Sequence, residues 1–145
     1  MIMQDFSRSL PMMLYRALDA VMPRFRTIFT EFGLTEQQWR VLRVLWEHDQ
    51  MALVKLAALT LIPAPSLVGV VDRLQAAGMV TRQRSETDRR VLYVVATQQG
   101  RDLKDRVMPR VQAAYAELQE SMDAEEWRQV LHALESISSL ESPLH

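Results

Sequence analysis

The sequence predicts a mainly α-helical domain with one small β-hairpin and a long helix towards each end. Three observations carry that prediction. Apolar residues recur at three- and four-residue steps through residues 7–32 and again through 98–140. Between these regions, two shorter helical segments are broken by Ile62-Pro63-Ala64-Pro65-Ser66. Two strand-like runs follow, 79–84 and 89–96, rich in Val and Tyr and joined by the polar Ser85-Glu86-Thr87-Asp88.

In the first helix the apolar stripe is Leu10, Met13, Leu14, Ala17, Leu18, Val21, Met22, Phe25, Ile28, Phe29 and Phe32. Pro23 is expected to bend or split it, and Gly33 to end it. Thr35 with Gln38 has capping-box spacing. The helix it opens has Trp39, Leu42, Leu45 and Trp46 inward, with Arg40, Arg43 and Glu47 on the other side. A short helix over 52–62 follows, with Leu53, Leu56, Ala57 and Leu61 turned inward. Proline suits a first helical turn, so Pro65-Ser66 marks a new start, and Gly78 the end. The hairpin tip has no glycine, which predicts a longer loop instead of a tight two-residue turn. Thr97 caps a long helix bearing Leu103, Val107, Val111, Ala114, Tyr115, Leu118 and Met122 and bent near Pro109. Asp123 with Glu126 opens the last helix, whose face is Trp127, Val130, Leu131, Leu134 and Ile137.

Helix, turn, helix, hairpin is the order of a winged helix-turn-helix. The expected organisation is one domain over 1–145, with a winged head at 34–97 flanked by dimerisation helices at 7–33 and 98–140. Those flanking helices carry more apolar surface than the head can cover, which predicts a second copy of the chain as partner.

Composition narrows the function. There is no cysteine, which removes disulfides, thiolate metal sites and cysteine nucleophiles. His48, His132 and His145 lack metal-ligand spacing, and no nucleophile elbow or paired-carboxylate pattern occurs. No catalytic residue, metal or cofactor is expected, and the chain is not read as an enzyme. No apolar run reaches membrane-span length, and the N-terminus lacks a signal-peptide pattern, so a cytoplasmic protein is expected. Residues 82–110 hold eight Lys/Arg against four Asp/Glu, whereas 115–145 hold one Arg against seven acids. That asymmetry suits a nucleic-acid binder with a localised basic face and an acidic end turned away. Fifteen of the 17 basic residues are arginine, which favours planar, groove-inserting contacts; a coding bias towards arginine accounts for the composition equally well.

Several spaced elements resemble the MarR-type regulators of bacteria. They are Leu56-Ala57, Asp72-Arg73-Leu74 with Gly78, Met79-Val80, Asp88-Arg89-Arg90, and Thr97 with Gly100. The likeness covers roughly residues 8–140. The stretches LTEQQWR and PSLVG are most similar to repressors of homoprotocatechuate (hydroxyphenylacetate) catabolism. The resemblance implies a homodimer on a pseudo-palindromic double-stranded operator, with half-sites about 10 bp apart. It places the helix from Pro65 to Ala77 in the major groove and the Asp88–Arg90 wing in the minor groove. It also implies release by a phenolic or carboxylate compound.

Arg89 and Arg90 suit a narrow minor groove; the competing reading is a solvated turn whose ion pairs contribute little. Asp88 cannot face phosphate itself and is expected to pair with Arg90 or Arg73, shaping the wing. Many relatives carry Thr-Arg where this chain has Val68-Gly69. Ser66, Arg73 and apolar contacts to thymine methyls from Pro63, Ala64 or Val68 are then left to read bases beside Pro65. Lys55, Arg82 and Arg84 are candidate phosphate contacts. For the effector, Arg16 on a mostly apolar helix is the candidate anchor of an aromatic carboxylate, with Trp39 against the ring and Met12 and Met13 lining the space. The competing reading makes Arg16 an exposed or inter-subunit residue and Trp39 core. Beyond a small aromatic-carboxylate-responsive repressor of a catabolic or efflux operon, the alternative is a winged module for protein–protein assembly.

Overall fold

The computed structural model describes residues 5–140. Three helix starts are fixed by side chains that satisfy backbone N–H groups the helix itself leaves unpaired. Thr35 Oγ1 accepts from Gln38 N at 3.1 Å while Gln38 Oε1 accepts from Thr35 N at 2.9 Å, opening α2 (Glu36–Leu45). Thr97 Oγ1 accepts from Gly100 N at 3.1 Å at the start of α5 (Gln98–Glu120). Asp123 and Glu126 exchange the same pair of bonds before α6 (Ala124–Ser138). The first helix, α1 (Leu10–Glu31), is not split at Pro23, and α5 continues through Pro109. The carbonyls these prolines leave without an N–H donor belong to Asp19 and Asp105, both exposed residues, which makes the interruption tolerable.

The head is built from β1 (Met51–Ala52), α3 (Leu53–Thr60), α4 (Ala64–Ala76), β2 (Val80–Arg84) and β3 (Leu92–Ala96). The axes of α3 and α4 meet at 104° across residues 61–63. Leu61, expected inward, is instead 84% exposed in the left-handed region at φ 56°, and Ile62, 1% exposed, takes the core position. The chain reverses at Leu61, so the helical period that placed it inward stops at Thr60. Gly78 ends α4 at φ 79° as expected. The strands are shorter than the apolar runs suggested: Met79 and Arg89–Val91 lie outside them, leaving a seven-residue tip over 85–91. β2 and β3 pair antiparallel with Arg82 opposite Val94. The two-residue β1, absent from the sequence expectation, adds to the other side of β3 with Met51 opposite Val94.

Val41, Leu42, Leu45, Leu56, Leu67, Val71 and Leu74 are fully buried where α2, α3 and α4 meet, each contributing about 1.5–3 kcal/mol on burial. The head joins α5 without slack. The Trp46 indole donates to the Gly100 carbonyl at 2.9 Å, and Thr97 N donates to the Met79 carbonyl at 3.0 Å. A Cβ at Gly100 would overlap that same Met79 oxygen. By contrast, Leu10, Met13, Leu14 and Leu18 of α1 and Val130, Leu131 and Leu134 of α6 stay exposed, and α6 buries no residue. No helix among the described residues is by itself long and apolar enough to cross a membrane.

Candidate nucleic-acid interface and adjoining cavity

Successive residues of α4 turn by about 100°. Leu67, Val70, Val71 and Leu74 therefore share the buried side, and Pro65 and Gly69 centre the opposite face. Pro63, Ala64, Pro65, Ser66, Val68 and Arg73 are exposed and Gly69 is half-buried. Arg73 folds back along the helix, its Nη1 3.6 Å from where a Cβ on Gly69 would stand.

Arg82 fastens the wing to this helix. Its Nη2 donates to Asp72 Oδ1 at 2.5 Å and to the Val68 carbonyl at 3.2 Å, and its Nη1 donates to Gln75 Oε1 at 2.6 Å. The phosphate contact expected of Arg82 thus meets a guanidinium already engaged inside the protein. Lys55, on α3, is exposed.

The tip is ordered by short-range bonds. Ser85 N donates to the Val91 carbonyl and Val91 N to the Asp88 carbonyl, both at 3.0 Å, and Asp88 N donates to Ser85 Oγ at 3.1 Å. Of the two arginines open to Asp88, the partner is Arg90. Asp88 Oδ1 accepts from Arg90 N at 3.1 Å and from Nε at 3.0 Å, and Oδ2 accepts from Nη2 at 3.2 Å. The Arg90 side chain, then its backbone N–H, hold the Asp88 carboxyl below its ordinary value, so it stays ionised at neutral pH. Even so braced, the Arg90 side chain is 91% exposed. Arg84 Nη1 donates to the Arg89 carbonyl at 2.7 Å, and the Arg89 guanidinium has no hydrogen-bond or ion-pair partner among the described residues. The result is a pre-shaped tip that presents two guanidinium groups.

A cavity of about 700 Å³ opens between α1, α5 and α6 under the start of α2. Trp39 stacks on Phe29 at 4.8 Å and meets Trp46 edge-on at 5.5 Å, while Phe25 and Tyr115 lie 5.1 Å apart. Its polar groups include Glu36, Arg40, Tyr115 and Ser121. Arg40 Nη2 donates to Glu36 Oε1 at 3.0 Å and Nη1 to the Thr60 carbonyl at 3.2 Å. The structure does not bring Met12, Arg16 and Trp39 together. Arg16 lines a separate shallow hollow with Ser7, Arg8 and Met13 and donates to the Ser7 carbonyl at 3.2 Å; Met12 lines neither space. The Phe29 under Trp39 lies about 20 Å further along α1 than Arg16, beyond the reach of one side chain. Arg40, assigned by helical period to the outer side, is the cation of the larger cavity. Its spacing from Glu36, four residues apart on one helix, was the signal available in the sequence.

No group of three or more His, Cys, Asp or Glu side chains among the described residues is placed to hold a metal ion; His145 lies outside those residues. A model of the MarR family matches residues 34–92. The chain is 36% identical over 132 residues to the homoprotocatechuate degradative operon repressor of Escherichia coli, spanning 91% of this chain and 89% of that protein. The chain belongs to the MarR family. Among solved structures of such regulators, transcriptional regulator PA4135 aligns with a TM-score of 0.85 and 34% identity, over 92% of this chain and 98% of that one. NadR in complex with 4-hydroxyphenylacetate aligns with a TM-score of 0.81 and 30% identity, over 97% of this chain and 100% of that one. This MarR-family chain is accordingly a DNA-binding transcription regulator of winged helix-turn-helix fold and not an enzyme.

Proposed function

We propose that this MarR-family regulator is a homodimeric repressor of an aromatic-compound catabolic or efflux operon, released from a pseudo-palindromic operator by a small aromatic carboxylate. In this reading 1–145 is one domain, its head at 34–97 lies on DNA, and the helices at 7–33 and 98–140 dimerise through the exposed apolar stripes of α1 and α6. Such a repressor works in the cytoplasm. The observation that carries the reading is the braced wing. Asp88 aligns Arg90 at three bonds while Arg82 locks the hairpin to α4, so helix and wing face DNA as one body. Arg90, pre-aligned, enters the minor groove at low entropic cost, and Arg89, Arg84 and Lys55 take phosphates.

In this reading the effector occupies the cavity, its carboxylate on Arg40 and its ring against Trp39 and Tyr115. The names of two similar proteins support this class, a homoprotocatechuate operon repressor and NadR bound to 4-hydroxyphenylacetate.

Fluorescence anisotropy on duplexes selected from a random pool tests the reading. Specific binding should fall steeply with salt, and Arg89→Ala/Arg90→Ala should lose at least about tenfold in affinity. Unchanged binding by that double variant returns the hairpin arginines to a solubilising role, whereas failure to select any duplex favours the assembly module. Addition of 4-hydroxyphenylacetate or homoprotocatechuate should raise the unfolding temperature and release the duplex.

A further inference from the structure

We infer that the outward surface around Val68 on α4 reads its operator through the C5-methyl groups of thymine. This rests on the proposal that α4 enters the major groove. The helix has four polar side chains: Ser66, Asp72, Arg73 and Gln75. Two of them are engaged, since Asp72 and Gln75 accept from Arg82 at 2.5 and 2.6 Å. Arg73 lies back over Gly69. The first two turns themselves carry one polar side chain, Ser66, and the Arg73 guanidinium lies beside Gly69 with no hydrogen-bond partner among the described residues.

What remains facing outward is Ala64, Pro65, Gly69 and Val68, the last 43% exposed. Their surface is apolar, and with no Cβ at Gly69 the Arg73 side chain lies down along the helix beside it, leaving Val68 to project. The major groove offers such a surface one complementary feature, the methyl group of thymine. Opposite any other base, Val68 would desolvate an N or O atom and return no hydrogen bond, which disfavours that base. Continuity with the wing places the surface correctly, because Arg82 joins the Val68 carbonyl directly to β2.

The test uses the full chain and duplexes it selects from a random pool. Each half-site thymine is replaced in turn by deoxyuridine, which lacks only the C5-methyl. One or two positions per half-site should lose about fourfold in affinity each. At those positions 5-methylcytosine should be tolerated better than cytosine. Val68→Ser, which removes both methyls at an exposed position, should flatten the uridine effect at one position while leaving the unfolding midpoint little changed. If specific binding persists but every uridine duplex binds within twofold of its parent, or selected half-sites lack thymine, the inference is overturned and the operator reading stands. If no duplex is selected at all, the operator reading itself fails and this inference with it.

Discussion

Arg40 ties the wall of the cavity to the turn of the reading head. One guanidinium nitrogen donates to Glu36 on its own helix, and the other donates to the carbonyl of Thr60, the last residue of α3 before the chain reverses at Leu61. In the proposed function, a carboxylate arriving in the cavity would compete for the same donors. Capture of Arg40 would then release the Thr60 carbonyl next to the joint between α3 and α4. Arg40→Met should lower stability by about 1 kcal/mol, bind the selected duplex normally, and lose at least about tenfold in effector response. Arg40→Lys keeps the charge without the fork and should fall between the two. Thermal shift with 4-hydroxyphenylacetate and anisotropy with the duplex measure the two effects separately. An Arg40→Met protein that still releases DNA at wild-type effector concentrations excludes this route.

Leu61 holds a left-handed backbone with an exposed branched side chain, so it bears strain without packing in return. Leu61→Gly should stabilise the fold by about 0.5–1 kcal/mol, the relief of strain exceeding the added flexibility of the unfolded chain. A higher urea midpoint with unchanged slope is the expected result.

Gly100 is the opposite case. Its Cβ position is filled by the Met79 carbonyl, and that carbonyl is held by Thr97 N. Gly100→Ala should cost about 2–3 kcal/mol. Gly33→Ala makes a useful control: nothing stands near its Cβ position, and its φ of 69° alone should cost about 1 kcal/mol. Equal midpoints for the two variants in urea would refute the steric account.

Asp88 sets the pH behaviour of the wing. Its folded pKa is depressed below the ordinary 3.8, so its contribution is complete above that value and is lost only as pH falls through the lower folded one. The brace on Arg90 should therefore be constant across neutral pH. Asp88→Asn should leave the unfolding midpoint in place, because the pair is exposed, yet weaken duplex binding several-fold by freeing Arg90. Wild-type affinity in Asp88→Asn would remove the brace from recognition.

Features whose cause is local were legible in the sequence. The caps at Thr35, Thr97 and Asp123 each need only a partner three residues away, and Gly78 needs only its own backbone. Long apolar stripes announced α1, α5 and α6 for the same reason. What escaped depended on a distant neighbour. Two-residue β1 is a strand only because β3 lies beside it. The site divides likewise. The pairing of Asp88 with an arginine was foreseeable from adjacency, whereas the engagement of Arg82 with α4 and the reach of Arg40 to Thr60 cross elements remote in sequence.

The joint at Gly100 has a mechanical consequence. With Trp46, Met79 and Thr97 clamped around it, there is no soft hinge between head and α5, and the 23 residues of α5 form a tiller about 35 Å long. Swinging such a tiller by about 5° at its far end carries the head through about 3 Å, close to the ~3.4 Å step between base pairs. In the proposed dimer, small changes in how the ends of two such helices meet would put the two heads out of phase with their half-sites, while each head kept its own shape.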